Sequence, residues 1–220
     1  MSATATTPDT KQSLLDAAEA LIARHGVTGA SLRAITSRAG TNLAAANYHF
    51  GSKKALARAV IARRFGPINS ERLRLLDEAE KETGENGPSL ETLVRTFVGP
   101  VVRFGQDLPD RGRNFAQICG RAMTQPDPML RESLLGELSE AIRRFHAAFA
   151  RALPRLPRDE LLWRIQFMVG AMAHTIAGNQ LIEAVHGKSL DTRDVEGIVE
   201  RMVRFLCAGL AAEPVEVNDR

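Results

Sequence analysis

The stretch between Ser31 and Lys53, SLRAITSRAGTNLAAANYHFGSK, decides the fold of the first third of this chain. Ser31 is a typical helix N-cap and Gly40 a typical helix stop, so the residues between them are predicted to form a short helix. Thr41 and Asn42 can cap a second short helix, which is favoured by three successive alanines. Two short helices joined by a tight turn are typical of a helix-turn-helix.

A helix is predicted on each side of this motif. Before it, apolar residues recur at steps of three and four and predict a helix from about Pro8 to His25, with Gly26 as its stop. Pro8 suits the first helical position. After the motif, a longer helix is predicted from Lys53 through about Lys81, broken or bent near Gly66 and Pro67.

The remainder of the chain is also predicted to be helical. The polar segment 83–88 is the clearest linker, because it is rich in Gly and Pro. No alternating run of Val, Ile and Thr bounded by turn residues indicates a strand, so the fold class is predicted to be all-α. The further helices are predicted over residues 89–104, 113–123, 128–153, 158–185 and 192–210.

Composition limits the class of protein. The 220 residues are 44% hydrophobic and 25% charged, as in an ordinary globular protein. The two cysteines lie far apart in sequence without metal-ligand spacing, which excludes a disulfide scaffold and a zinc finger. The chain lacks a secretory signal pattern and an apolar run of membrane-spanning length, so we expect a soluble cytoplasmic protein.

Positive charge is concentrated in the first third of the chain. Residues 1–65 contain nine basic and three acidic side chains, whereas residues 66–220 contain 20 basic and 23 acidic side chains. This asymmetry indicates that residues 1–65 form a polyanion-binding domain, which we call the head. The alternative is a solvated basic surface without a partner.

The helix-turn-helix contains the side chains that duplex DNA recognition needs. Short polar residues near the start of a recognition helix can reach base edges in the major groove, and Thr41, Asn42 and Asn47 are of this type. Tyr48, His49 and Lys53 follow, where their polar tips can reach phosphates. The start of the helix at Lys53 adds backbone N–H groups and a positive dipole end.

With these residues the chain resembles the TetR family of bacterial transcription repressors over the stretch from Leu14 to about Val60. The segment from Asn42 to Lys53 is similar to a subgroup that includes fatty-acid-responsive repressors of the PsrA kind. The matching motifs are LLDAA on the first helix, His25-Gly26, Ser31-Leu32-Arg33-Ala34-Ile35, Ala39-Gly40, Tyr48-His49-Phe50 and Ser52-Lys53-Lys54-Ala55-Leu56.

The resemblance implies a role for particular residues. The base-reading candidates are Asn42, Leu43, Ala45 and Asn47. The positions that hold the phosphate backbone are Tyr48, His49 and Lys53, flanked by Arg33 and Thr41. It further implies a helix-turn-helix DNA-binding domain over residues 1–65 and an effector-binding and dimerisation domain over residues 66–220. The expected partners are double-stranded DNA with a palindromic operator, a small-molecule effector and a second copy of the chain.

The second domain shows no catalytic motif, so we expect no enzymatic activity, no cofactor and no metal. Arg121 beside an apolar helix face can hold a carboxylate or phosphate of an otherwise apolar effector, for which the subgroup suggests a fatty acid or acyl-CoA. The alternative for Arg121 is an exposed side chain or one paired with a carboxylate. The pocket candidates are Phe97, Val101, Phe104, Cys119, Arg121, Met123, Phe145, Phe149, Trp163 and Phe167.

The last two predicted helices each carry apolar residues on more than one side, which favours a dimer interface of four helices. The alternative is that both helices belong to the core of a monomer. The interface candidates are Met168, Met172, Ile176, Val199, Met202, Phe205 and Leu206. Two rival functions stay open, a small-molecule sensing module without active DNA recognition and, less favoured, a helical enzyme.

Overall fold

A computed structural model describes residues 9–106, 109–124, 127–177 and 194–214. These residues form helices and connecting turns and include no strand, which confirms the all-α prediction. The predicted helical residues 178–185 and 192–193 lie outside the described residues. The helices are α1 Thr10–Gly29, α2 Leu32–Arg38, α3 Leu43–Phe50, α4 Lys53–Thr83, α5 Leu90–Gln106, α6 Pro109–Thr124, α7 Pro128–Ala152, α8 Arg158–Ala177 and α9 Val195–Ala211.

Helix α1 differs from its prediction at both ends. Asp9 is its N-cap, with Oδ1 accepting a hydrogen bond from Lys11 N at 3.0 Å, so the helix begins at Thr10. Gly26 has non-helical backbone angles and interrupts the helix where a stop was predicted, but a further helical turn follows it. It has a φ of +71° and forms a kink, after which helical geometry continues to Gly29. Glycine adopts a positive φ without a steric penalty, so it can turn a helix as well as stop it.

Helix α4 runs through the predicted break, with Pro67 inside it. The chain divides into two compact units at this point. The first unit contains the chain up to Gly66 together with residues 117–137, and the second contains 67–116 and 138–220. The short 3₁₀ turn Gly84–Asn86, which occupies the predicted linker, therefore lies within the second unit.

The core of the first unit packs α1 against α2, α3 and the first half of α4. Its buried apolar side chains come from all four helices, as the spacing of three and four residues predicts. They include Leu14, Ala18, Ile22, Val27, Ile35, Ala46, Leu56, Val60 and Ile61.

A buried ionic cluster joins α1 to α4 within this unit. Glu19, which is 1% exposed, accepts hydrogen bonds from Arg64 Nε at 2.9 Å and Arg64 Nη2 at 2.8 Å. Arg63 Nη2 donates to the same carboxylate at 2.5 Å, and its Nη1 donates to Asp16 at 2.8 Å. A buried carboxylate with two guanidinium partners has its charge compensated.

The second unit is built on α5, α8 and α9, which pack against one another around buried apolar residues. Aromatic rings fill its interior: the centroids of Phe97 and Phe145 are 5.1 Å apart, and those of Phe145 and Phe149 are 6.3 Å apart. The guanidinium of buried Arg72 lies 4.0 Å from the centre of the Phe97 ring. In the ranges that the structure describes, no helix has the length and apolarity to cross a membrane.

The buried side chain of Arg164 on α8 donates hydrogen bonds to carbonyl groups at the end of α9. Its Nη1 donates to the carbonyl oxygens of Leu210 at 2.8 Å and Ala212 at 2.6 Å, and its Nη2 donates to that of Glu213 at 3.2 Å. The last carbonyls of a helix have no partner within the helix, so a neighbouring guanidinium stabilises them. This contact fixes the register between α8 and α9.

Candidate nucleic-acid interface

Side-chain caps define the start of each short helix in the first unit. Ser31 Oγ accepts from Ala34 N at 3.1 Å at the start of α2, and Asn42 Oδ1 accepts from Ala45 N at 2.9 Å at the start of α3. Between them Gly40 turns the chain with a φ of +65°. The sequence predicted this arrangement because Ser, Asn and Gly have strong positional preferences at helix ends.

The side of α3 that faces the core of the first unit carries a small residue. Ala46 is 2% exposed, and it is the buried residue of α3. Ile35 of α2 is 1% exposed and contributes to the same core. Because a methyl group fills the available space at position 46, α3 lies close to the rest of the unit and its other faces remain outside the core.

The outer side of α3 presents the predicted base-reading residues to solvent. Asn42, Leu43 and Asn47 are exposed, whereas Ala45 is half-buried. Ala44 is also exposed, although it was not among the predicted base-reading residues. Helical spacing could have indicated this exposure, because Ala44 lies one helical turn before Tyr48 on the same face.

The predicted phosphate-contacting residues follow at the end of α3. Tyr48 is 86% exposed, and its ring meets that of His49 edge-on with centroids 5.2 Å apart. His49 is half-buried. On the flanks, Arg33 is exposed and Thr41 is half-buried.

Lys53, the first residue of α4, is held by the backbone. Its Nζ donates a hydrogen bond to the carbonyl oxygen of Thr28 at 2.9 Å. The contact joins residues 25 positions apart, so sequence spacing did not indicate it. An ammonium group has three donors, which leaves two for a phosphate.

An acidic residue of α7, Glu132, pairs with two basic residues near the start of α4 within the first unit. Glu132 Oε1 accepts from Lys54 Nζ and Arg58 Nη2, both at 2.8 Å. The hydrogen bond from Lys54 is the main cause that lowers the pKa of Glu132 below its ordinary value. Exposed pairs of this kind contribute little to stability, because solvent screens them.

Arg121 lies in the first unit, apart from most of the pocket candidates. Its Nε donates to the carbonyl oxygen of Ala23 at 2.8 Å, and its Nη2 donates to that of Arg24. Cys119 belongs to the same unit. The side chain of Met123 lies outside the described residues. The structure therefore gives Arg121 a backbone partner in the head, which single-sequence spacing cannot reveal.

The other pocket candidates belong to the second unit but differ in burial. Trp163 and Phe167 are 59% and 64% exposed, so they lie on the surface rather than in the interior. Phe104 is half-buried and packs edge-on against Phe115, with centroids 5.6 Å apart. The buried candidates are Phe97, Val101, Phe145 and Phe149.

The candidate interface residues are mostly interior to one chain. Phe205 is 72% exposed, whereas Ile176 is half-buried. Helices α8 and α9 have two apolar sides, and periodicity alone cannot determine which side packs inward. The buried candidates are Met168, Met172, Val199, Met202 and Leu206.

Family comparisons agree with this geometry. Residues 14–60 match the model of the bacterial regulatory proteins of the tetR family, and residues 95–209 match the tetracyclin repressor-like C-terminal domain. The chain belongs to the TetR family. It is therefore a DNA-binding transcriptional regulator with a ligand-binding C-terminal domain, as the sequence predicted. A search of the curated proteins finds no match.

Solved structures share the fold at low sequence identity. The fatty acid degradation regulator FadR from Bacillus halodurans is 15% identical, with a TM-score of 0.59 over 94% of this chain and 100% of its own. FadR from Bacillus subtilis in complex with stearoyl-CoA is 15% identical, with a TM-score of 0.55 over 90% and 98%. The SmeT–triclosan complex is 21% identical, with a TM-score of 0.59 over 96% and 99%.

Proposed function

We propose that this regulator is a homodimeric repressor that places α3 in the major groove of a palindromic operator and is released by a mostly apolar effector. The observation that carries the DNA contact is the exposed side of α3. It presents Leu43, Asn47 and Tyr48 on a helix that Asn42 caps and Ala46 anchors. A recognition helix needs this combination of a fixed backbone and free polar side chains.

Phosphate contacts are proposed for the residues around the end of α3. Tyr48 and Arg33 are exposed, and Lys53 keeps two ammonium donors beyond its bond to Thr28. His49 and Thr41 complete the set. The start of α4 adds a positive dipole end at the same place.

A homodimer is proposed through α8 and α9, at their solvent-facing sides rather than at the buried residues that the sequence favoured. Trp163 and Phe167 stack with ring centroids 5.9 Å apart on α8, and Phe205 projects from α9. Large exposed apolar side chains on two packed helices are typical of a protein interface. Two copies of the head then read two half-sites about 34 Å apart, or a multiple of that distance.

The effector is proposed to bind in the second unit, where buried aromatic residues dominate. Phe97, Phe145 and Phe149 support an apolar ligand. FadR from Bacillus subtilis has been solved with stearoyl-CoA and SmeT with triclosan, two largely apolar molecules. Together with the resemblance to the PsrA-like subgroup, these neighbours favour long-chain acyl compounds as the first effectors to test.

The functional division follows the sequence prediction, with DNA recognition in residues 1–65 and effector binding and dimerisation in residues 66–220. Residues 117–137 pack in the first unit and support the head from outside its own segment. We assign no catalytic step to the chain. Its place of action is where the duplex is, in the bacterial cytoplasm.

The test is a fluorescence-anisotropy titration against the duplex upstream of the chain's own gene, beside a scrambled duplex of equal length. We expect tight, sequence-preferring binding, with a slope of log K against log salt of about −7 if a dimer neutralises about eight phosphates. Long-chain acyl compounds should then release the duplex. Lys81, an exposed lysine of the second unit, is the matched control, because Lys81→Ala should leave affinity unchanged.

Two results would contradict the proposal in different ways. Weak binding to both duplexes with a flat salt slope would refute DNA recognition and favour a small-molecule sensing module with an inactive helix-turn-helix. Tight binding that no acyl compound relieves would leave DNA recognition intact and refute the effector class.

A further inference from the structure

The segment 117–137 lies in the same compact unit as the helix-turn-helix, although more than 60 residues separate it from α3. It contains the end of α6, the start of α7 and Asp127 between them. Asp127 Oδ1 accepts from Leu130 N at 3.1 Å and so caps α7. Its other oxygen contacts the head.

The kink of α1 disrupts helical hydrogen bonding at a defined place. Gly26 has φ +71° and ψ 172°, so the three bonds that would close across it are incompatible with its conformation. They run from Val27 N to Ala23 O, from Thr28 N to Arg24 O and from Gly29 N to His25 O. The next bond, from Ala30 N to Gly26 O, is present at 3.1 Å. Of the three backbone donors and three acceptors that this leaves near the kink, two of each have partners in the segment 117–137.

Asp127 and Arg121 are those partners. Asp127 Oδ2 accepts from Val27 N at 2.8 Å and from Thr28 N at 3.2 Å. Arg121 donates to the two carbonyl oxygens, those of Ala23 at 2.8 Å and of Arg24. An acid and a base from one distant segment thus satisfy two of the three donors and two of the three acceptors that the kink leaves open.

The same residue, Thr28, also contacts the lysine of the proposed phosphate contact. The Thr28 N–H donates to Asp127, and the Thr28 carbonyl oxygen accepts from Lys53 Nζ at 2.9 Å. The position of the Lys53 ammonium therefore depends on the position of Thr28, and the position of Thr28 depends on Asp127.

We propose that Asp127 and Arg121 are positioning residues for DNA binding, which hold the kinked end of α1 so that Lys53 is placed for a phosphate. This inference rests on the proposed phosphate contact of Lys53. In this proposal Asp127 and Arg121 act through the backbone of α1 rather than by contacting DNA. Their effect is on the geometry of the head.

The decisive variant is Asp127→Ser. Serine is a good N-cap and keeps the bond to Leu130 N, but its single short hydroxyl cannot accept from both Val27 and Thr28. Asp194→Ser is the matched control, because Asp194 caps α9 in the second unit by accepting from Gly197 N at 2.9 Å. Lys53→Met removes the phosphate contact itself.

The measurement is duplex affinity as a function of salt concentration. We expect Asp127→Ser to weaken binding about tenfold to operator and scrambled duplexes alike, and to reduce the salt slope by about 2 for a dimer that loses one phosphate per head. Adding Lys53→Met to Asp127→Ser should cost less than Lys53→Met alone. Asp194→Ser should change neither affinity nor slope. Arg121→Gln should behave like Asp127→Ser.

Amide hydrogen exchange of the free protein provides a readout independent of DNA. Protection of Val27 and Thr28 should fall in Asp127→Ser and remain in Asp194→Ser. Wild-type affinity and slope in Asp127→Ser would overturn the positioning role while leaving DNA recognition intact. Absence of duplex binding by the wild type would overturn the proposed function itself, and the positioning role with it.

Discussion

Asn42 and Asn47 illustrate how much one residue's role depends on its hydrogen bonds. The Oδ1 atom of Asn42 caps α3 by accepting from Ala45 N at 2.9 Å, which leaves its Nδ2 for a base edge. Asn47 is exposed on the following turn. A bidentate contact to adenine uses both the oxygen and the nitrogen of an amide, so Asn47 is the better candidate for it.

Replacing Asn47 by alanine should relax sequence preference. We expect a loss of about 1–3 kcal/mol of discrimination at one base pair of each half-site, with little change on other sequences. The measurement is a titration of operator duplexes substituted at single positions. Tyr48→Ala is the control, because loss of a phosphate contact should weaken all duplexes equally. A uniform loss for Asn47→Ala would contradict its base-reading role.

Glu19 should be a strong determinant of stability. Glu19→Gln keeps the side-chain volume but leaves the charge of buried Arg64 uncompensated, so we expect a loss of about 3–5 kcal/mol in the free energy of unfolding. Urea denaturation measures this loss. Glu71→Gln removes one carboxylate from an exposed pair with Arg74 and should cost about 0–1 kcal/mol. Equal effects of the two substitutions would show that Glu19 is not a buried partner.

At the scale of the element, the kink at Gly26 allows α1 to change direction without ending. Residues after the kink continue as helix to Gly29 and lead into the cap of α2. A methyl group at position 26 would lie 3.0 Å from Asp127 Oδ2, in addition to the strain of a positive φ. The kink therefore depends on glycine for two reasons.

Gly26→Ala should destabilise the protein by about 1–3 kcal/mol from backbone strain alone, because φ +71° with ψ 172° is a conformation that essentially only glycine adopts. Gly136→Ala is the matched control, because Gly136 lies within α7 and the structure shows no atom within 4 Å of an added methyl group. Alanine stabilises a helix relative to glycine by about 1 kcal/mol, so the control should be neutral or stabilising. Urea denaturation should show opposite signs, and a neutral Gly26→Ala would contradict the kinked geometry.

The cap of α7 should have a characteristic pH dependence. Burial tends to raise the pKa of Asp127, but hydrogen bonds from the backbone of Leu130, Thr28, Val27 and Met129 outweigh it and hold this pKa below its ordinary 3.8. A lowered folded-state pKa means that the carboxylate stabilises the fold fully above pH 3.8 and loses this contribution as pH falls through the folded value.

Asp127→Ser should therefore be most destabilising near neutral pH. The difference in unfolding free energy from the wild type should shrink as the solution is acidified below the ordinary value of 3.8. Denaturant titrations at a series of pH values measure it. For Gly136→Ala the difference should be the same at each pH, since no charge changes. A constant difference for Asp127→Ser would show that its carboxylate is not the active group.

At the scale of the whole molecule, the exposed apolar residues distinguish α8 and α9 from an ordinary surface. Trp163 and Phe167 are one turn apart on α8, with Gly170 and His174 continuing the same stripe. Small residues beside aromatic ones allow a second helix to approach closely. A second copy of the chain presents the same stripe, as a twofold interface requires.

Phe167→Glu should weaken the homodimer. Burying two carboxylates at a twofold interface is unfavourable, so the variant should sediment as a monomer at concentrations where the wild type is a dimer. Ile142→Glu is the matched control, because Ile142 is a 50% exposed apolar residue that belongs to α7 rather than to α8 or α9. A variant that stays dimeric would place the interface elsewhere. The monomer should also bind operator more weakly, because it has one head.

The helices of the head could be predicted from sequence because the determining signals are local. Ser31 and Asn42 cap their helices at the predicted positions. The family match begins at Leu14 and ends at Val60. The start of α1 and its continuation past Gly26 were not predicted. Proline and glycine each suit more than one position near a helix end, so their presence does not select one.

The amino-acid sequence by itself determined the helical class, the helix-turn-helix and the membership of the TetR family. Helix caps, hydrophobic periodicity and short motifs depend on residues a few positions apart, so they can be recognised in a single sequence. Only the tertiary structure decided that Arg121 and Asp127 hold the α1 kink and that Trp163 and Phe167 face solvent. These facts depend on contacts across about 100 positions and on which of two apolar sides packs inward, and neither leaves a local pattern.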